Sequence, residues 1–340
     1  MKKLIFAAFA AGAMVLAGCT KVEVKDVPEN RAIQFSNYVS NPVKSIDGKE
    51  NLEKFIVYGN TDDNDVIFNG VEVTWDNASS TASYSPIRYW TNNTYRFAAY
   101  SDEKAAIEQG TVTFNYNASG TTAYLGISDY VVEDGSKDLI YATTGQQEYT
   151  YNGSDATMPS VELEFKHILS QIEFNFTKDE TLDGHDITIS DIKVNAVSTG
   201  SYNAASLDNT WTPAMDKMDY TFTPDNAVIS GNVADANVTT SKASLILLPQ
   251  SVTGYKVTFT LTWKKFNADG TEAEEQVTDK FEVSIAGAEN GEWAPGKHYI
   301  YSATINASNL GEIPIVFTVT DDFNWENGTV TTPGDIVTIE

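Results

Sequence analysis

The chain has 340 residues, with 47 acidic against 22 basic side chains, a formal net charge of -25 and a pI near 4.3. So acidic a surface repels nucleic-acid phosphates, and no basic patch offsets it, which argues against nucleic acid as a partner. Its 17 Tyr and 16 Phe can furnish a core, and with one cysteine that core rests on packing without disulfides.

In chain order, Lys2 and Lys3 come first, followed by an uncharged apolar run over residues 4–17. Such a run, roughly 14 residues, is shorter than the about 20 a membrane-spanning helix needs. It matches the basic and apolar regions of a secretory signal peptide. The run closes with Leu16-Ala17-Gly18-Cys19, which resembles the lipobox of bacterial lipoproteins. That resemblance implies that residues 1–18 are removed and that the Cys19 thiol is lipidated, with residues 19–31 left as a spacer. The rival reading is an ordinary signal peptide followed by a chance cysteine. A lone thiol in an exported chain otherwise lacks an explanation. Several acyl chains such as palmitate, at about 0.8 kcal/mol per buried CH₂, would hold the chain on a membrane.

Beyond the spacer, apolar residues recur with period two, the signature of half-buried strands. The runs are Val71, Val73, Trp75; then Tyr95, Phe97, Ala99; then Val161, Leu163, Phe165; then Ile172, Phe174, Phe176. They continue with Tyr255, Val257, Phe259, Leu261, Trp263; then Phe281, Val283, Ile285. Tyr299, Tyr301, Ala303, Ile305 and Ile313, Ile315, Phe317, Val319 close the series. Turn-forming clusters at 60–64, 117–120, 152–155 and 267–270 separate the runs. Only residues 102–109 read as a helix, about two turns long. Many short strands with little helix predict an all-β chain of sandwich type. A length near 320 after processing exceeds the about 250 to 300 residues at which single cores stop growing, so two domains are expected. The boundary is placed near His167, giving sandwiches over 32–167 and 168–325 in close tandem, with a tail over 326–340.

Reactive groups do not converge. The histidines His167, His185 and His298 have no second histidine at metal-ligand spacing, and HExxH, CxxC, P-loop and Gly-x-Ser-x-Gly motifs are absent. No catalytic residue, metal ligand or cofactor is assigned, and the chain is read as a non-enzyme. His167 and His298 are placed at the starts of strand runs and His185 in a turn. Asp62-Asp63-Asn64-Asp65 and Asp321-Asp322 lack the glycine and glutamate of an EF-hand loop, and turn formation is the better account of them. Trp90, Trp211, Trp293 and Trp325 could stack on sugars, but tryptophan in a sandwich is usually packing.

An ordered set of short motifs resembles a known family. It runs from Ala32-Ile33-Gln34-Phe35-Ser36 through Phe55-Ile56-Val57-Tyr58-Gly59, Tyr84-Ser85-Pro86-Ile87-Arg88-Tyr89-Trp90 and Tyr95-Arg96-Phe97-Ala98-Ala99-Tyr100. It continues with Lys137-Asp138-Leu139-Ile140-Tyr141-Ala142, Phe165-Lys166-His167-Ile168-Leu169-Ser170, Leu248-Pro249-Gln250 and Trp293-Ala294-Pro295-Gly296-Lys297-His298-Tyr299. The series is similar to the fimbrillins of Bacteroidales, the FimA- and Mfa-like subunits of surface fimbriae. The resemblance implies two tandem transthyretin-like β-sandwiches. It also implies export as a lipoprotein to the outer membrane and assembly with other fimbrillin subunits into a fimbrium, with a host or bacterial surface ligand as a further partner. In stalk subunits of the family a protease removes the first strand, and a neighbour's strand fills the groove, which is β-augmentation.

Carried onto this chain, the removable strand is 32–39, with Ile33, Phe35 and Val39 facing inward. The family's arginine after that strand is replaced by Lys44. The only arginines are Arg31, Arg88 and Arg96. A cut at Arg31 would leave the strand in place, and Arg88 and Arg96 are expected inside strands and shielded. Either a lysine-tolerant protease cuts at Lys44, or the chain stays whole as an anchor or accessory subunit. The tail offers Val330, Ile336, Val337 and Ile339 as a donor strand; its rivals are a strand folded back on its own domain and a frayed end. The leading reading is a structural or adhesive fimbrial subunit. The alternative is a surface glycan-binding lipoprotein of a nutrient-uptake system.

Overall fold

The computed structural model describes residues 31–39, 52–76, 78–79, 81–102, 107–116, 123–144, 149–151, 160–203, 210–267, 269–273, 276–285, 291–310 and 315–322. Among them the secondary structure is strand, apart from short 3-10 turns such as Glu180–Leu182 and Ala307–Leu310. The expected helix at 102–109 does not appear in its described part. Residues 108–110 form a bend, where Gly110 takes φ 128°, and 103–106 lie outside the described residues.

Ten strands form between Gln34 and His167. They are β1 (Gln34–Val39), β2 (Lys54–Thr61), β3 (Val66–Asp76), β4 (Thr81–Ser83), β5 (Asn93–Ser101), β6 (Thr111–Tyr116), β7 (Ala123–Val131), β8 (Ile140–Thr143), β9 (Tyr149–Tyr151) and β10 (Ser160–His167). Eight of them make one sheet in the order β1-β10-β8-β5-β2-β3-β4, with β9 also on β5. The sheet curls until its ends meet, for Ala32 bridges Tyr89 just beyond β4. Inside the curl, Ile33, Phe35, Phe55, Val57, Phe68, Val73, Trp90, Tyr95, Phe97, Val161, Leu163 and Phe165 form a first core. Gly59 makes this packing feasible, since a Cβ there would lie 2.6 Å from the Phe97 ring.

The later strands are β11 (Ser170–Lys178), β12 (His185–Val197), β13 (Thr199–Asn203), β14 (Thr210–Pro213), β15 (Lys217–Phe222), β16 (Val228–Ile229) and β17 (Ser241–Leu247). They continue with β18 (Gln250–Ser251), β19 (Lys256–Lys265), β20 (Val277–Ser284), β21 (Glu292–Trp293), β22 (Lys297–Ile305) and β23 (Thr318–Asp322). A sheet β17-β11-β22-β23 and a sheet β15-β12-β19-β20 supply facing apolar rows such as Ile172, Phe174, Phe176 and Val257, Phe259, Leu261. Ile315 and Phe317 are buried ahead of β23 and not within it, because Thr318 is the first residue there to find a ladder partner, Ser302.

A further sheet, β14-β13-β7-β6, draws two strands from each side of His167, with β7 paired antiparallel to β13. It covers the outer face of the curled sheet. Tyr58 stacks on Phe114 and Tyr141 meets Tyr202 edge to face. Consequently β5 is buried on both faces: Tyr95, Phe97 and Ala99 point into the first core, while Ala98 and Tyr100 join the larger core that continues through Leu125 and Ile127 to Ile172 and Phe174.

Candidate functional site

The first strand reaches the core through short alternation. Gln34 is exposed, whereas Ile33 is 0% and Phe35 3% exposed. The Phe35 ring lies 5.4 to 6.0 Å from the rings of Phe68, Tyr84, Phe97 and Phe55, and each of these contacts is edge-on. Edge-to-face pairs of this kind add to the area they bury, and full burial of each such side chain is worth about 1.5–3 kcal/mol. One short strand therefore supplies the hub of an aromatic core.

Its backbone is held on two sides. Along one side β1 runs parallel to β10, from Gln34↔Ser160 to Val39↔Phe165. On the other, the Ile33 N–H donates to the Arg88 carbonyl at 2.8 Å, the Trp90 N–H to Arg31 at 2.9 Å, and the Tyr84 hydroxyl to Ile33 at 2.7 Å. The segment that touches β1 here, residues 84–90, is irregular, and Arg88 is exposed within it. The expectation that Arg88 lies shielded in a strand is thus corrected: Pro86 has no N–H for a ladder, and the segment bends to cap β1. Arg96 is buried in β5 and paired with Asp62. Of the other residues singled out in the sequence, the Val39 side chain, Lys44, Cys19, Val330, Ile336, Val337 and Ile339 lie outside the described residues; Arg31 is half-buried.

The second cluster of motifs surrounds the turn between β10 and β11. The Ile168 N–H donates to Leu139 at 3.1 Å, and its own carbonyl accepts the Trp211 indole N–H at 2.5 Å. The Leu169 carbonyl accepts the Gly296 N–H at 2.7 Å, and Ser170 Oγ donates to Ala294 at 2.7 Å. His167 closes β10, not opening a strand as expected, and its Nδ1 bonds the buried carboxylate of Asp138. His185 opens β12, so it too sits in a strand and not in the turn expected. The link between Asp138 and His167 has only a faint trace in the sequence, a Lys-Asp and a Lys-His pair each leading directly into apolar residues.

Trp90 and Trp293 are buried, and Trp211 is half-buried against Tyr130 and Tyr202, so these three serve packing. Trp325 lies outside the described residues. Asp62 to Asp65 forms the β2–β3 hairpin turn, with Asn64 at φ 64° and the Thr61 N–H donating to Asp65 at 3.0 Å. Among the described residues no three His, Cys, Asp or Glu side chains gather to hold a metal ion.

Comparison with known proteins follows the same lines. No curated protein matches the chain. A fimbrial protein from Bacteroides vulgatus ATCC 8482 has a similar structure, with a TM-score of 0.57 and 17% identity over 85% of this chain and 99% of that one. A candidate cell adhesion protein from Bacteroides uniformis ATCC 8492 superposes with a TM-score of 0.53 and 16% identity, over 87% of this chain and 98% of that one. At such identity the likeness speaks for the fold alone. The fimbrillin-like family model matches residues 43–321. With the motif series, the curled sheet and that match in agreement, the chain belongs to the fimbrillin-like family.

Proposed function

We propose that this fimbrillin-like chain is a subunit of surface fimbriae, exported as a lipoprotein through Cys19 to the outer membrane and joined to its neighbours by strand exchange. In this reading β1 is the strand that leaves, and Ile33 and Phe35 vacate the pockets that a neighbour's extended segment refills. The tail residues Val330, Ile336, Val337 and Ile339 are the proposed donor. The tandem transthyretin-like description belongs to the same reading, supported by two separate cores and qualified by the sheet that β7 and β13 share.

The observation that carries the reading is the placement of the core hub, Phe35, on a strand at the sheet's edge. Emptying that position exposes apolar rings and the unpaired backbone of β10, a surface avid for another strand. Lys44, in the connection between β1 and β2, is the proposed cut site, with Arg31 less suited because it precedes the strand. The proposed function calls for neither a catalytic group nor a cofactor ligand.

The test is brief native trypsin treatment of the chain from Thr20 onward, with mass spectrometry to locate the cut and gel filtration with negative-stain microscopy to follow assembly. A cut after Lys44 followed by ladders or filaments is the expected result. An uncut connection, or a cut chain that stays monomeric, overturns the polymerising version. Separately, labelled palmitate should enter the wild-type chain in cells and not Cys19→Ala.

A further inference from the structure

The two flanks of β10 are unequal. Toward β1 it pairs over six residues, Gln34↔Ser160 to Val39↔Phe165. Toward β8 it pairs over two, Lys166↔Tyr141 and His167↔Ile140, both at its C-terminal end. Among the described residues, the stretch 160–165 therefore finds its ladder in β1. Whenever β1 is absent, the position of β10 depends on how its last residues are tied down.

The side-chain tie at that end is the Asp138–His167 pair, which stands beside the backbone bond from the Ile168 N–H to Leu139. Asp138 immediately precedes the lead into β8, and His167 is the last residue of β10. The Asp138 side chain is 1% exposed and that of His167 9%. Oδ2 of Asp138 takes the histidine, while Oδ1 is buried with no hydrogen-bond partner in the structure. Burying a carboxylate costs several kcal/mol or more unless it is paired, so Asp138 fits its place only while His167 stands opposite. The pair is a position-specific restraint, and a costly one to displace.

The apolar pattern of β10 cannot provide that restraint alone. Val161, Leu163 and Phe165 are buried, and Glu162 and Glu164 are exposed. A slip by one residue would turn the glutamates inward and is forbidden by the pattern. A slip by two keeps apolar residues inward and is not. Moving His167 by two residues breaks its bond to Asp138.

We propose that Asp138 and His167 are positioning residues that pin the register of β10 and so preserve the accepting edge of the slot while no strand fills it. The use of that edge rests on the strand-exchange reading, whereas the pin itself is a property of the intact chain. The two can therefore fail separately.

Hydrogen exchange with mass spectrometry on the full chain tests the pin. Asp138→Ala and, independently, His167→Gln should speed exchange at least tenfold in 34–39 and 160–165 and leave β11 and β19 unchanged. Asp138→Asn, which retains an acceptor, should restore much of the protection. Uniform acceleration, or none, overturns the proposal. In a second arm, a protease site placed within 41–51 is cut, and a labelled peptide of residues 31–40 competes with the resident strand. Wild-type protein should exchange peptide and rebind it, and the two variants should rebind at least tenfold more weakly. Equal rebinding by wild type and variants overturns the pin. A resident strand that never leaves overturns strand exchange instead, and the hydrogen-exchange result still decides the pin.

Discussion

Phe35 and Phe68 meet edge-on, with ring centroids 5.4 Å apart and planes at 71°, although one lies on the first strand and the other on β3. The contact ties a strand of few residues to a strand near the opposite end of the sheet order, across the inside of the curl. Phe35→Ala should therefore destabilise the protein by about 3–5 kcal/mol, the usual cost of removing a large aromatic side chain from a core. Phe35→Leu, which keeps much of the volume, should cost markedly less. Urea unfolding of both variants checks this, and a loss below about 1 kcal/mol for the alanine variant would contradict the role of the ring as a hub.

Gln250 is the second keystone. Its Oε1 accepts the Val197 N–H at 2.8 Å and the Tyr255 hydroxyl at 2.7 Å, and its Nε2 donates to Val197 at 3.1 Å and Leu248 at 2.8 Å. The residue is buried, and its amide is fully used. Gln250→Leu leaves several buried groups unpaired at about 1–3 kcal/mol each, so a loss of at least about 3 kcal/mol is expected. Tyr255→Phe removes one bond and should cost about 1 kcal/mol. The difference between the two, read from thermal or urea unfolding, separates the network from the single bond.

Gly296 presents a third test. Its φ is 66°, and a Cβ would lie 3.0 Å from the His167 carbonyl oxygen. An L-residue in this left-handed region costs about 1–2 kcal/mol before any clash is counted. Gly296→Ala should lower stability by at least that amount, whereas Gly254→Ala, also left-handed but with open space around it, should pay the backbone cost alone. Equal losses at the two sites would mean that the approach to His167 exerts no strain.

The alternating strands were legible because one polar and one apolar face leave a period-two trace. Val161, Leu163 and Phe165 in β10 and Ile172, Phe174 and Phe176 in β11 follow it residue by residue. The trace fades where both faces are buried, as in β5, whose run from Tyr95 to Ser101 is buried throughout. Nothing local marks the pairing of β7 with β13, since a ladder between distant segments depends on their meeting and not on either sequence alone. The inward placement of Ile33 and Phe35 is what the family resemblance implies, whereas the aromatic ring set around Phe35 draws on β2, β3 and β5 and emerges only in the fold. Arg88 departs from the strand that its extended-looking motif suggests because Pro86 breaks the ladder.

The buried tyrosines give the protein an alkaline limit. Burial pushes the Tyr141 and Tyr100 phenols up to about 12, the latter helped by Tyr58 and Asp102, and burial also raises Tyr202 and Tyr220. Above about pH 10 the unfolded chain loses phenolic protons that the folded chain keeps, so unfolding releases protons and stability falls as pH rises. The contribution is intact below about pH 10 and is lost progressively toward about pH 12, at up to about 1.4 kcal/mol per pH unit for each tyrosine. Urea unfolding at a series of pH values between about 9 and about 12 should show this decline, with Tyr141→Phe reducing its slope. Absorbance of the phenolate should lag in the native protein and rise together with the loss of β-structure. A Tyr141→Phe slope equal to that of wild type would mean that Tyr141 titrates in the folded chain as freely as in the unfolded one.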